Sequence, residues 1–269
     1  MKRQGPEHRQ EFTIFFIGDY GKQVLSQFRI LKRRYPISSK CKFVSMDINS
    51  EDGFIQLSDG PDPADIFPMT INCDIACFVM DAREPNAVAL AENTCRSIRK
   101  STDAIFLCLT PTVGNTVKRE TFHMAVATFA AGSDLCADLL LTLHNTYLGC
   151  GNMGSIQCLK YLFDIMELKH NYYQAAVGRA VQKGDLSEIN IPGMIRDVFR
   201  YIDERRGHTV NGSFYGVLEM NPSEMHVLPF YHDVMTALAE KIENHEHGVI
   251  VHLGLQRKEV RLTILNLLK

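Results

Sequence analysis

The chain has 269 residues, 45% of them apolar, which is enough for one large domain or two ordinary ones with a sizeable core. Its 29 basic and 31 acidic residues nearly cancel, so nothing in the charge balance points to a nucleic-acid partner. No apolar run reaches membrane-spanning length, and the polar opening Met1 to Gln10 is not a secretory leader, so a cytoplasmic protein without membrane insertion is expected.

Residues 1–10 are expected to form a flexible tail. Phe12 to Ile17 is a continuous apolar run ending at Gly18, the pattern of a buried parallel strand. Val24 to Tyr35 reads as a helix, with Val24, Leu25, Phe28 and Leu31 on one face. It ends in Lys32-Arg33-Arg34, favourably placed against the helix dipole. Cys41 to Met46 is a second strand stopped by Asp47, and residues 59–68 form a Pro- and Asp-rich loop. Asp74 to Met80 is a third strand, followed by a helix to about Arg99, and Ala104 to Thr110 is a fourth. A helix over about Val117 to Ala131 then leads to a fifth strand at Asp138 to Leu143. This alternation predicts a mainly parallel, doubly wound sheet over residues 11–152.

Ser155 to Gln182 carries apolar residues at threes and fours, among them Ile156, Leu159, Phe163, Met166, Tyr173, Val177 and Val181. The spacing predicts one long central helix over 153–183. A loop with Pro192 and Gly193 precedes a helix from Met194 to Arg205. Strands at Phe214 to Met220, Gly248 to Leu253 and Glu259 to Leu268, with a helix at Tyr231 to Asn244, predict a smaller α+β domain over 184–269. Its last two strands would be joined by the short turn Gly254 to Lys258.

The eight cysteines are scattered without a Cys-x-x-Cys pair, and several fall inside apolar runs, so they read as small buried hydrophobes. His245-Glu246-His247 with His252 nearby reads as a solvated polar turn rather than a metal site, because neighbouring side chains in an extended segment diverge. His123 and His144 have no evident catalytic partners. Gly18-x-x-Gly21-Lys22, between a strand and a helix, could hold an anion. It is no P-loop, and Tyr20 stands where a dinucleotide fingerprint has its second glycine. Asp47 at the end of the second strand is a further weak pointer to a dinucleotide.

The order of these parts resembles FtsZ, the bacterial tubulin relative, along nearly the whole chain. Ile17 to Val24 resembles the family's first glycine-rich phosphate loop, and Phe43 to Ser50 its second strand and following turn. Leu141-Thr142-Leu143-His144-Asn145 is similar to a strand running into a nucleotide-contacting turn. The helix at 231–244 and the last two strands are similar to the family's C-terminal domain. The resemblance implies an FtsZ/tubulin-like α/β fold with a mainly parallel doubly wound sheet, a long central helix and a smaller C-terminal domain. It also places Gly18, Asp19, Tyr20, Gly21, Lys22, Asp81, Arg83, Asn86 and Asn145 at nucleotide-site positions.

The departures bear on function. Where the family has a run of glycines whose amides wrap phosphates, this chain reads Asp81-Ala82-Arg83-Glu84-Pro85-Asn86-Ala87. Where the family's synergy loop brings two catalytic acids after the central helix, alignment places Ile191 and Met194, in a loop with Asn190, Pro192 and Arg196 and with no acid between Glu188 and Asp197. The expectation is a non-catalytic relative with no catalytic residues, no metal and no cofactor, residual GTP or GDP binding being the exception. It would act by longitudinal contacts with itself or an FtsZ-family protein, with Ile191 and Met194 as surface contact residues. Cell division is implied by the resemblance alone. The rival reading is an enzyme or sensor with a small molecule in a remodelled pocket lined by Asp19, Lys22, Asp81 and Arg83.

Overall fold

The computed structural model describes residues 12–35, 41–46, 73–112, 117–118, 120–127, 132–147, 173–203, 213–221, 227–242, 247–253 and 258–268. The expected tail at 1–10, the Asp47–Ser50 turn, the 59–68 loop, Cys150 and Cys158 lie outside these residues.

In chain order the strands are β1 (Phe12–Ile17), β2 (Cys41–Met46), β3 (Ile75–Val79), β4 (Ile105–Thr110), β5 (Met124–Ala127), β6 (Tyr173–Lys183), β7 (Ser213–Met220), β8 (His247–Leu253) and β9 (Glu259–Leu268). The helices are α1 (Gly18–Lys32), α2 (Pro85–Ile98), α3 (Gly132–Tyr147), α4 (Ile191–Asp203) and α5 (Val227–Lys241). The nine strands of the described residues form one sheet in the order β2-β1-β3-β4-β5-β6-β9-β7-β8. From β2 to β6 every neighbour is parallel; β9 runs antiparallel to both β6 and β7, and β8 lies parallel to β7.

The parallel half follows from its sequence. Phe12 to Ile17 is buried along its whole length, as a strand covered on both faces must be. Phe12, Ile14 and Phe16 meet α1 and α3 on one face, and Phe15 and Ile17 meet α2 on the other. Beyond β6 the opposite face is covered by α4 and α5, which bury Met194, Val198, Phe199, Val234 and Leu238 against β7 and β9. The α1 and α3 core continues past β6 to Tyr215, Leu265 and Leu267, so the two halves of the sheet share it.

Four sequence expectations are corrected. Residues 173–183, expected as the second half of a long helix, form strand β6; the first half lies outside the described residues. The alanines of Tyr173–Lys183 favour a helix locally, but slots beside β5 and β9 decide otherwise, and Gly178 packs directly on the backbone carbonyl of Val198 in α4. Residues 138–143, expected as a strand, lie inside α3. A short leucine run does not separate a buried strand from a buried helix, and Cys136, Leu139, Leu140 and Leu143 repeat at helical spacing into the core. The helix expected over 117–131 contains β5 instead, whose Met124 and Val126 face one core and Ala125 the other. Finally, β8 and β9 are not a hairpin: β7 lies between them.

The six described cysteines, Cys41, Cys73, Cys77, Cys95, Cys108 and Cys136, are all buried free thiols. Burial pushes the Cys136 thiol up to about 12 and raises Cys41, Cys77, Cys95 and Cys108 further, so these groups behave as hydrophobes.

Candidate functional site

The carboxyl ends of β1, β3 and β4 form the mouth of the parallel half, where sheets of this kind bind ligands. Strand β1 turns into α1 within one residue: Ile17 is extended, and Gly18 follows at φ 67°, a conformation that glycine adopts without strain. At Gly21 a Cβ would lie 2.6 Å from the Phe16 carbonyl carbon and 2.9 Å from the Val79 carbonyl oxygen. The two glycines thus let the first turn of α1 sit directly on the ends of β1 and β3. Tyr20, between them, is half-buried against the α1–α3 core and hydrogen-bonds the Cys136 thiol of α3. Asp19 is exposed, with Lys22 3.9 Å away.

The loop after β3 is closed on itself. The Asp81 carboxylate accepts the Arg83 Nε–H at 3.0 and 3.1 Å, its Nη2–H at 2.6 Å and its backbone N–H at 3.0 Å. The Ala82 N–H donates to Thr110 Oγ1 at 3.0 Å, and the Glu84 N–H to the Asp81 carbonyl at 3.0 Å. Pro85, at the start of α2, has no N–H. Four consecutive residues therefore offer no backbone donor to a ligand. The Thr110 hydroxyl in turn donates to the Thr112 carbonyl at 3.0 Å, tying the loop to the end of β4.

Electrostatics point the same way. The Arg83 guanidinium holds the Asp81 carboxyl below its usual range, against a smaller opposing effect of burial. Glu84 precedes α2 with its Oε2 buried and unbonded. Burial pushes its carboxyl up, and the negative charges of Asp81 and Asp19 push it further. Asp19, Asp81 and Glu84 thus share one neighbourhood. Asn86 is exposed in the first turn of α2. No cluster of three metal-ligating side chains occurs among the described residues.

Asn145 is not at this mouth. It lies in α3 nine residues beyond Cys136, about 13 Å along the helix axis. There Nδ2 of Asn145 donates to Glu219 Oε1 at 3.3 Å, and Oδ1 lies 3.1 Å from His144 Nδ1. Thr142 donates to Glu219 Oε2 at 2.7 Å and accepts from Arg179 Nη1 at 3.1 Å, while Arg179 Nε lies 3.6 Å from Asp138. Glu219 and His144 are fully buried. This network joins α3 to β6 and β7, and sequence reasoning missed it. One signal was present: Glu219 interrupts an otherwise apolar strand, and a buried acid needs partners.

The segment assigned to the synergy loop is also corrected. Asn190 to Arg196 follows strand β6 rather than a helix, and forms the start of α4. Asn190 caps that helix through Oδ1, which accepts the Gly193 N–H at 2.9 Å, and Gln182 brackets the Asn190 backbone at 2.8 and 3.1 Å. Met194 is fully buried, and Ile191 packs partly against the same core; the expectation of a surface contact residue fails for Met194. Pro192 and Arg196 are exposed. The stretch after α3, residues 148–172, lies outside the described residues.

No protein-family model matches the chain, and no curated protein sequence matches it. Solved structures do. An FtsZ of M. jannaschii superposes with a TM-score of 0.61 at 11% identity, over 96% of this chain and 90% of that one. CetZ from Methanosaeta thermophila gives 0.59 at 11%, over 95% and 86%. TubZ from Bacillus thuringiensis serovar israelensis, solved as GDP-form protofilaments, gives 0.55 at 8%, over 96% and 84%. The chain therefore has an FtsZ/tubulin-like fold.

Proposed function

From that fold, we propose a protein that works through protein–protein contacts at the mouth of its parallel half and does not hydrolyse GTP. The single observation behind this reading is the loop from Asp81 to Pro85. Its amides, which would have to face a phosphate, are bonded internally at Ala82, Arg83 and Glu84, and Pro85 has none. Three carboxylates stand where a triphosphate would bring its own negative charge, and among the described residues Lys22 lies beside Asp19 and Arg83 is held by Asp81. The similar TubZ structure is of protofilaments, and longitudinal contacts with other copies or with an FtsZ-type filament are the corresponding role here.

Thermal unfolding with and without excess GTP, GDP and Mg²⁺ tests the reading. A ligand at 100 times its Kd adds about 2.7 kcal/mol and moves the midpoint by several degrees. No shift is expected. A clear shift would overturn the proposal in favour of a nucleotide or small-molecule pocket lined by Asp19, Lys22, Asp81 and Arg83.

A further inference from the structure

The sheet ends in two edge strands of different chemistry. One is β2, where Lys42 stands exposed. The other is β8, which among the described residues has a neighbour on one side only, β7. All seven residues of β8 pair with β7 in unbroken register, from Phe214 opposite His247 to Met220 opposite Leu253. An edge strand turns backbone N–H and C=O groups outward, and soluble proteins blunt such edges with Lys, Pro, a bulge or a short strand. His247-Gly248-Val249-Ile250-Val251-His252-Leu253 carries no Pro, Lys, Arg, Asp or Glu, and its pairing shows no bulge.

The surface beside that edge is apolar as well. Val249 and Val251 are half-buried at the margin of the core that α4 and α5 cover. Helix α4 lies over β6, where the Val198 carbonyl meets Gly178, and Ala237 and Lys241 of α5 face α4 across a groove. At about 100° per residue, the opposite flank of α5 carries Leu228, Met235 and Ala239 and looks away from α4, over β8. Leu228 is 77% exposed, the most exposed large apolar side chain among the described residues. A lone exposed leucine is ordinary. One in line with an unblunted strand edge extends a continuous apolar margin.

We propose that two copies of this chain pair antiparallel through β8, joining their sheets edge to edge about a two-fold axis at Ile250. In that register Val249 of each copy stands opposite Val251 of the other, and Gly248 opposite His252, so apolar pairs meet and no acid or base is opposed. The axis is perpendicular to the sheet, which keeps both α5 helices on one face and brings their Leu228, Met235 and Ala239 flanks together over the seam. A charged partner would find no counter-charge on β8, whereas a second copy brings an uncharged strand and a matching flank. The contact is isologous, so it closes at a dimer. It goes beyond the reading above: it uses neither the mouth nor a nucleotide, and either can fail while the other stands.

Sedimentation equilibrium of the full chain, from about 1 to about 100 μM, tests the pairing. A monomer–dimer equilibrium with nothing larger is expected. Leu228→Glu, at an exposed position, should weaken the dimer at least about tenfold and leave the folded monomer's circular dichroism unchanged. Val249→Lys puts into the seam the charge that β8 lacks and should leave a monomer. Deuterium uptake by the β8 segment of the wild type, read by mass spectrometry, should be slower in the dimer than after dilution to monomer. If Val249→Lys fails to fold, Leu228→Glu and the exchange pattern decide. A wild-type monomer throughout, a dimer indifferent to both substitutions, or assemblies that grow past two copies would overturn the proposal. So would β8 amides equally protected at every concentration, which would mean that the edge is covered within one copy.

Discussion

At the scale of single residues, the mouth is decided by where hydrogen bonds go. Asp81 and Arg83 are close enough in sequence to be named as site residues, and the structure pairs them with each other. The pairing has a pH signature. A carboxyl whose folded pKa lies below its unfolded one contributes stability above the unfolded value, and loses it as the pH falls through the folded one. Arg83→Ala should therefore lower the thermal midpoint at neutral pH. The difference from wild type should shrink as the pH falls below the ordinary Asp value of 3.8 and through the lowered folded one. Glu84 has the opposite sign: its folded pKa is raised, so the protonated form is favoured. Glu84→Gln should raise the midpoint slightly at neutral pH, with no gain once the wild-type carboxyl is protonated. Melting curves across pH check both, and a Glu84→Gln effect that grew in acid would contradict the burial argument. Gly18 and Gly21 were legible as a turn because two glycines between a strand and a helix are rarely accidental. That Gly21 faces bare backbone on two sides was not legible.

Elements were legible where periodicity and length agreed. Strands β1 to β4 and helix α2 lie where the apolar runs and their Pro and Gly boundaries put them. The misreadings fall where several periods fit the same letters. Asp-Leu-Leu-Leu-Thr-Leu can be a buried strand or one side of a buried helix, and the packing of α3 against α1 chose the helix. Moving that segment from strand to helix took Asn145 away from the mouth and into the polar network beneath β6 and β7. The network makes a sharp prediction. Glu219→Ala removes the acceptor that the Thr142 hydroxyl and the Asn145 amide share, and should cost about 3 kcal/mol, a midpoint loss of roughly 6–12 °C. Glu219→Gln, which keeps one acceptor oxygen, should lose less. Equal losses would mean that the charge and the second acceptor oxygen matter and the shape alone does not. A loss near zero would mean the bonds to α3 carry no stability.

The whole molecule is held together by a core that crosses between its halves. Phe12 and Phe16 of β1 belong to the same cluster as Tyr215 of β7 and Leu265 and Leu267 of β9. Strand β9, the last in sequence, lies between β6 and β7 and pairs with both over most of its length. Independent domains share few such contacts. Unfolding should accordingly be one transition, with coincident curves from far-ultraviolet circular dichroism and from tyrosine fluorescence, which no tryptophan obscures. Two separated transitions would show that the parallel half and the mixed half are stable units after all. Removing β9 by ending the chain at Lys258 should abolish folding of the mixed half, because it opens a gap in the interior of the sheet.

Composition, apolar periodicity and turn residues by themselves determined the α/β class, the four leading strands and α2, because these depend on neighbours a few positions apart. The sequence also determined the loss of glycines at 81–87, a matter of identity alone. Only the tertiary structure decided that 173–183 is a strand, that 138–143 is helical, and that Met194 is core. Each of those segments satisfies its own local preferences in two ways, and the choice is made by partners tens of residues away: β5 and β9 for β6, α1 for α3, and the strands beneath α4 for Met194. The closure of the Asp81–Pro85 loop belongs to the same class, since the hydroxyl that takes the Ala82 amide is on Thr110, 28 positions on.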